Sequence, residues 1–517
     1  MAIMEPSSDE RSPSRRGVLR GAAGLLIGAA AVSGVAATAG CSAFRSKARS
    51  DEDELFGELD GKIEKVMKDH AIPGVAVGVW AKGREHVRGY GVTSLANPQP
   101  VDGDTLFRIG STTKTYTGTA VMRLVEAGKL NLDATVRTYL PDFAAAGPGV
   151  AEAVTLRQLL NHTPGWLGDF YQDFGRGEDA LTRYVTGMAA LPQLTALGST
   201  FAYNNAAIDL AGRVIEKVTG STYEKAVQDL LLDPLKCERT RFFADELVGY
   251  RTSASHTVAD GKAKFDASGW YIPRSLGPTG GLMSTAKEQL AWARFHMGDG
   301  TGPGGVRVLS RDSLVAMRSN PGPGGTLAVE LDGMGVAWHL RPSAEGVRIV
   351  QHGGTWRGQH SGFIMVPDRD FALTVLTNSE SGSKLVSDLT VDDWALKKYA
   401  GISNLPATPQ TLSASQLAPY EGRYEGQVIF GDGKPVDLRV QLTADQGRLK
   451  YRALSPEGDP MDPEPGVPET LAFYREDYVL PMDGAGKPFG SRANFLRGPD
   501  GRVQWFRENG RLSRKAA

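Results

Sequence analysis

Thr105-Leu106-Phe107-Arg108-Ile109-Gly110-Ser111-Thr112-Thr113-Lys114 is the stretch on which the reading of this chain turns. A short apolar run ends at Gly110, and apolar residues then recur at helical spacing as Ala120, Val121, Leu124, Val125 and Leu130. Ser111 therefore stands at a helix start, where free backbone N–H groups and the positive end of the dipole favour a developing anion. Lys114, three residues on, lies on the same face, within reach of the serine oxygen. A hydroxyl beside an amine is a nucleophile beside a base, the first requirement of acyl transfer.

Ser-x-x-Lys alone is a weak signal, because it occurs three times, at Ser111/Lys114, Ser284/Lys287 and Ser381/Lys384. Ser284 precedes the helical run from Lys287 to Met297 and reads as its N-cap. Ser381 sits in polar Asn378-Ser379-Glu380-Ser381-Gly382 and reads as loop. Ser111 is the expected nucleophile. Tyr-x-Asn occurs once, as Tyr203-Asn204-Asn205, and supplies a phenol able to move a proton. His-x-Gly occurs three times. His296 closes a helical pattern, so Gly298 reads as its stop. His360 falls in the connection to a strand from Phe363 to Val366. His352 follows the β-type run Val347-Arg348-Ile349-Val350, and Gly353 and Gly354 would let a ligand approach that strand closely.

Together these motifs resemble the penicillin-recognising serine hydrolases of the class C β-lactamase, DD-peptidase and esterase group. Ile72-Pro73-Gly74-Val75-Ala76-Val77, Gly89-Tyr90-Gly91-Val92, Leu159-Leu160-Asn161-His162-Thr163-Pro164-Gly165 and Gly280-Gly281-Leu282 carry the same resemblance, which spans residues 54–400. It implies an α+β fold, an antiparallel sheet flanked by helices with an inserted helical subdomain. It also implies an acyl-enzyme serine hydrolase acting on esters, amides or D-amino-acid peptides. The alternatives are a true β-lactamase, or a penicillin-binding envelope lipoprotein with little or no turnover. In this reading Ser111 attacks, and Lys114 and Tyr203 jointly manage its proton, either one serving as base. Asn205 would hydrogen-bond Lys114 and the substrate amide. Backbone N–H groups of Ser111 and Thr355 would form the oxyanion hole, beside Gly353 and Gly354. His352 would orient a substrate carboxylate or support Tyr203. One departure matters: the third motif of classical β-lactamases begins with Lys, and here it begins with His352. A His of ordinary pKa, about 6.5, is largely neutral above it, which argues against β-lactams as the natural substrate. Trp166, Phe170, Tyr171 and Trp356 are secondary candidates for the cleft lining. His162 reads as holding a loop, and Asn378 as either facing a substrate carboxylate or an ordinary strand-end polar residue.

The 517 residues are 41% hydrophobic and 23% charged, a globular composition. Lys+Arg 58 against Asp+Glu 59 gives a net charge of −1, no electrostatic footprint for nucleic acid. The expected partner is a small-molecule or peptide substrate. Two cysteines and no paired ligand spacing predict neither metal nor cofactor.

Ser14-Arg15-Arg16-Gly17-Val18-Leu19-Arg20 resembles a twin-arginine export signal, and the Gly/Ala-rich stretch from Gly21 to Gly40 follows it. Thr38-Ala39-Gly40-Cys41 resembles a lipoprotein processing box with Cys41 acylated. Residues 1–40 are then an export signal and 41–53 a tether. The mature protein would sit on the outer face of the cytoplasmic membrane, or be secreted, and Cys237 would have no disulfide partner.

Residues 73–95 read as a hairpin about Lys82-Gly83, residues 111–235 as helices, and Val347 to Thr377 as strands again. Strands, helices and strands in that order imply one antiparallel sheet built from both ends of the domain, with the cleft between sheet and helices as the site. Residues 401–414 are rich in Pro, Ser and Thr and read as a linker. Within 415–517, strict alternation such as Val436-Asp437-Leu438-Arg439-Val440-Gln441-Leu442 predicts a small antiparallel β-barrel or sandwich. By resemblance it is lipocalin-like, a stabilising lid or spacer without a catalytic grouping. A chain ending near Asn404 would then fold and keep Ser111 reactive.

Overall fold

The computed structural model describes residues 55–455, 457–461, 467–488 and 491–516. The segments read above as export signal and tether, with Cys41, lie outside them. A first unit ends at Gly61, and its residues 55–61 are helical. All that follows concerns the second unit, Lys62–Ala517.

Strands β1 (Gly74–Ala81) and β2 (Arg84–Gly91) form the expected hairpin. Lys82 (φ 53°) and Gly83 (φ 71°) turn it with two positive φ angles, the two-residue geometry that matches strand twist. The sheet is completed from far along the chain by β3 (Gly333–Met334), β4 (His339–Arg341), β5 (Ile349–Trp356), β6 (Gln359–Val366) and β7 (Phe371–Thr377). Its order is β2-β1-β7-β6-β5-β4-β3, every pair antiparallel. Helices α1 (Thr113–Glu126) and α2 (Asn205–Thr219) belong to the helical region inserted between β2 and β3. Helix α3 (Ala286–Met297) lies against β1 so closely that a Cβ at Gly78 would stand 3.0 Å from the Ala286 carbonyl oxygen. One apolar core joins α1, α2, α3 and the sheet through Tyr116, Leu210, Trp292, Trp338 and Phe363.

Three local readings need correction. Ser284 is not a cap: it pairs with Phe107 in a short ladder, and Thr285 accepts the Glu288 N–H at 3.1 Å. Ser381 is not loop but the N-terminal flank of α4 (Gly382–Thr390), so helix-start context is not unique to Ser111. What separates the copies is burial. Lys384 is half exposed and pairs with Asp388 on its own helix, whereas Lys114 is buried. His360 lies inside β6, because the turn falls earlier, at Arg357-Gly358.

Beyond residue 414 the chain forms a closed antiparallel barrel rather than a sandwich. Its strands are β8 (Gly422–Ile429), β9 (Pro435–Asp445), β10 (Arg448–Leu454), β11 (Thr470–Arg475), β12 (Tyr478–Met482), β13 (Ala493–Arg497), β14 (Val503–Glu508) and β15 (Arg511–Lys515). Pairing of β8 with β15 closes it. Tyr420, Phe473, Phe495 and Phe506 pack against one another inside, with Tyr420–Phe473 and Tyr420–Phe495 ring centroids 4.6 and 4.8 Å apart. Eight strands leave an interior that side chains can fill.

The barrel docks on the hydrolase region along a specific seam. Tyr171 N–H donates to the Ile429 carbonyl at 2.7 Å, and Ile429 N–H to that of Asp169 at 2.9 Å. The buried Glu330 carboxylate accepts from Tyr474 Oη and from Arg492, each at 2.9 Å, and from Arg475. Within the linker, Asn404 is tied to the hydrolase side by Arg341 and Val391, while Gln410 N–H donates to Phe473 of the barrel at 2.7 Å.

Candidate active site

A 3-10 turn, Gly110–Thr112, leads directly into α1, and no side chain caps either start. The Ser111 hydroxyl is therefore free for chemistry. Lys114 Nζ donates to Ser111 Oγ at 2.9 Å and to the Thr279 carbonyl at 3.0 Å, and lies 5.1 Å from the Tyr203 ring centroid. Burial pushes the Lys114 ammonium down to about 7, with Arg511 helping and the carboxylates of Asp209 and Asp169 opposing. Burial pushes the Tyr203 phenol up to about 12, tempered by hydrogen bonding to Ser111 and by Arg511. At neutral pH the amine is thus close to half deprotonated and the phenol keeps its proton.

Tyr203 is braced on several sides. Its N–H donates to the Gly510 carbonyl at 2.7 Å, and its ring stacks on His162 at 4.7 Å. His162 Nδ1 in turn accepts the Asn204 N–H at 2.7 Å, so this histidine holds the loop.

Strand β5 passes against the nucleophile turn through two glycines. A Cβ at Gly354 would stand 2.0 Å from the Ile109 oxygen and 2.6 Å from Ser111 N; one at Gly110 would stand 2.7 Å from Thr355 N. Only glycine permits that approach, and it makes the Ser111 and Thr355 N–H groups neighbours. Gly353 accepts from His352 Nδ1 at 2.7 Å through its carbonyl. His352 Nε2 is consequently left as a lone pair, buried and without a partner among the described residues. Burial, His339 and Lys114 push its pKa well below the ordinary value. His352 is neutral, stacked on His339 at 4.3 Å, with its ring centroid 6.5 Å from that of Tyr203. It offers a substrate carboxylate no charge.

Asn205 departs from expectation. Its Nδ2 donates to Asp169 Oδ1 and to Tyr171 Oη, both at 2.8 Å, and no hydrogen bond joins it to Lys114. Both amide hydrogens are used, and Oδ1 is buried without a partner among the described residues. The cause is Asp169, which draws the amide nitrogen toward itself.

Four residues here were missed in the sequence. Asp209 follows Asn205 by one helical turn, a signal that could have been read; it takes the Thr279 hydroxyl, and burial pushes its carboxyl up to about 8. Asp169, His339 and Arg511 carry no local pattern. Among the aromatic candidates, Trp166 and Phe170 are core, Tyr171 holds Asp169 and Asn205, and Trp356 donates to the Tyr271 carbonyl. Asn378 is structural, bonding Gly74, Val92 and Thr93. Cys237 is a free, buried thiol with its pKa raised by burial. Among the described residues no group of three His, Cys, Asp or Glu could hold a metal ion, and no helix is long and apolar enough to cross a membrane.

The Beta-lactamase family model matches residues 59–395, more than half of the chain. The chain belongs to the β-lactamase family. It is on that footing a serine hydrolase of the acyl-enzyme type. Penicillin-binding protein 4 of Amycolatopsis lactamdurans is 34% identical over 369 residues, 70% of this chain and 96% of that protein. The crystal structure of SurE matches with a TM-score of 0.69 at 25% identity, covering 91% of this chain and all (100%) of its own, a share that takes in the barrel. The octameric penicillin-binding protein homologue from Pyrococcus abyssi matches with a TM-score of 0.57 at 22% identity, over 85% of this chain and 96% of its own.

Proposed function

We propose that the chain hydrolyses esters, amides or D-amino-acid peptides through an acyl-enzyme on Ser111, with Lys114 as the base and Tyr203 as a protonated relay. The observation that carries this is the buried Lys114 amine, 2.9 Å from Ser111 Oγ and depressed to about 7. Serine is a poor nucleophile unless a base takes its proton, and an ordinary lysine is protonated at neutral pH. As the Ser111 Oγ–carbon bond forms, its proton passes to Lys114 Nζ. The carbonyl oxygen gains charge between the Ser111 and Thr355 N–H groups. Tyr203 gives its proton to the leaving group and recovers one from Lys114, which restores both. Water then attacks the acyl carbon along the reverse path and frees Ser111.

A neutral His352, offering no charge to a carboxylate, supports uncharged esters and amides over β-lactams as turnover substrates. A second reading is a penicillin-binding protein that acylates but deacylates slowly, and the 34% identity to a protein of that name favours it. Steady-state kinetics on nitrocefin, a short-chain aryl ester and a D-Ala-containing peptide, with fluorescent-penicillin labelling, separate these. Ester or peptide turnover above nitrocefin turnover is expected. Nitrocefin turnover far above both would make the chain a true β-lactamase, and stable labelling without turnover would favour the second reading.

The Arg15-Arg16 segment and Cys41 support export and lipid attachment at the membrane's outer face. Intact mass of membrane-extracted protein tests this: a mature start other than Cys41, without acyl mass, refutes it.

A further inference from the structure

The turn between β14 and β15 enters the hydrolase site. Asn509 (φ 48°) and Gly510 (φ 73°) form its tip, and a Cβ at Gly510 would stand 3.1 Å from the Cβ of Tyr203. The Gly510 carbonyl takes the Tyr203 N–H, and Arg511 follows at once. Its guanidinium binds Asp169 with two bonds, Nε to Oδ2 at 2.9 Å and Nη2 to Oδ1 at 3.2 Å. It also lies 4.7 Å from the Tyr203 ring centroid. A cavity of about 20 Å³, room for about one water, remains between Tyr203, Asp169, Arg511 and Gln427.

We propose that the barrel completes the active site, with Arg511 a positioning residue that steadies Tyr203 across its ring face and, through Asp169, fixes the orientation of Asn205. The chain of contacts is continuous. Arg511 clamps Asp169, Asp169 takes an Asn205 amide hydrogen, and Tyr171 takes the other. Asn205 Oδ1 is thereby left as its one free hydrogen-bonding atom, an acceptor for an N–H of an amide-bearing acyl substrate or for the Lys114 ammonium. An ordinary domain contact would not end on the side chains of the Tyr203-Asn204-Asn205 motif. The inference rests on the acyl-enzyme reading of Ser111.

The electrostatic consequence is signed. The groups acting on Lys114 are Asp169 and, when ionised, Asp209, which favour its ammonium, and Arg511, which disfavours it. Tyr203 and the neutral His162, His339 and His352 surround them. Arg511→Gln should move the rising limb of acylation to higher pH, and Asp169→Asn should move it to lower pH, each by on the order of one pH unit. The double variant should fall between, and Arg511→Lys should keep the limb near wild type while losing rate with the two-bond geometry.

The test uses the full chain, with the p-nitrophenolate burst from a short-chain p-nitrophenyl ester and fluorescent-penicillin labelling as readouts across pH, and thermal melting alongside. Opposite shifts of the limb in the two single variants are expected. Unmoved limbs, with only the melting temperature lowered, would make Arg511 a domain staple and overturn the inference. If Arg511→Gln fails to fold, Asp169→Asn and Arg511→Lys decide: a limb unmoved by Asp169→Asn overturns the inference. A wild-type chain acylated by neither reagent overturns the acyl-enzyme reading, and the inference with it.

Discussion

Lys114 is where the chemistry of this chain is decided. Its ammonium must lose a proton before it can take one from Ser111, so acylation should rise with pH through about 7, where burial has brought it. Tyr203, held near 12, stays protonated across that range and adds no limb there. A pH–rate profile of single-turnover acylation checks this, and a limb near 10 would return Lys114 to the status of an ordinary lysine. Lys114→Ala should cost about 10²–10⁴-fold in acylation, the range for a positioned general base. Ser111→Ala should abolish labelling by a mechanism-based acylating reagent, while Ser284→Ala and Ser381→Ala should retain it. The Ser111/Lys114 pair could be read in the sequence because apolar periodicity marked its helix. The reason the other two pairs fail could not, since burial of a lysine is a tertiary fact. Asp169 and Arg511 were invisible for a related cause: each acquires meaning only from the other.

At the scale of elements, the hairpin about Lys82-Gly83 and the β5–β7 strands were legible because alternation and turn chemistry agree with the final sheet. Two errors came from single-residue shifts. Ser284 was drawn into a ladder with Phe107, and Ser381 into a helix start, where polar composition alone had suggested loop. The approach of β5 to the nucleophile turn makes a sharper claim. Gly354→Ala would drive a methyl group to within 2.0 Å of the Ile109 oxygen, so strand and turn must separate. One oxyanion donor is then misplaced, and acylation should fall about 10²–10³-fold with little change in overall secondary structure. Rates combined with circular dichroism check it; an unimpaired Gly354→Ala enzyme would remove Thr355 N–H from the mechanism.

Over the whole molecule, the change of periodicity after residue 414 correctly announced a second all-β region, but not what it does. Its docking seam mixes strand-like backbone bonds at Ile429 with the buried Glu330 carboxylate under Arg492 and Tyr474. Glu330→Ala would leave the Arg492 charge poorly compensated and should destabilise the chain by about 3–5 kcal/mol, measurable by urea unfolding. On the proposal that the barrel completes the site, a chain ending at Asn404 is expected instead to lose reactivity at Ser111. Such a chain loses Gly510, Arg511 and the Ile429 backbone bonds to Asp169 and Tyr171, and should acylate poorly even where it folds, as labelling of that truncation would reveal.

The pairing of Asp169 with Arg511 joins residues 342 apart in sequence. Contacts of such separation pay the largest loop-closure cost, and they form only after the intervening chain has been made and the barrel shut. Ser111 and Lys114 emerge from the ribosome long before that moment. If the barrel completes the site, the reactive pair is made first and becomes fully competent last.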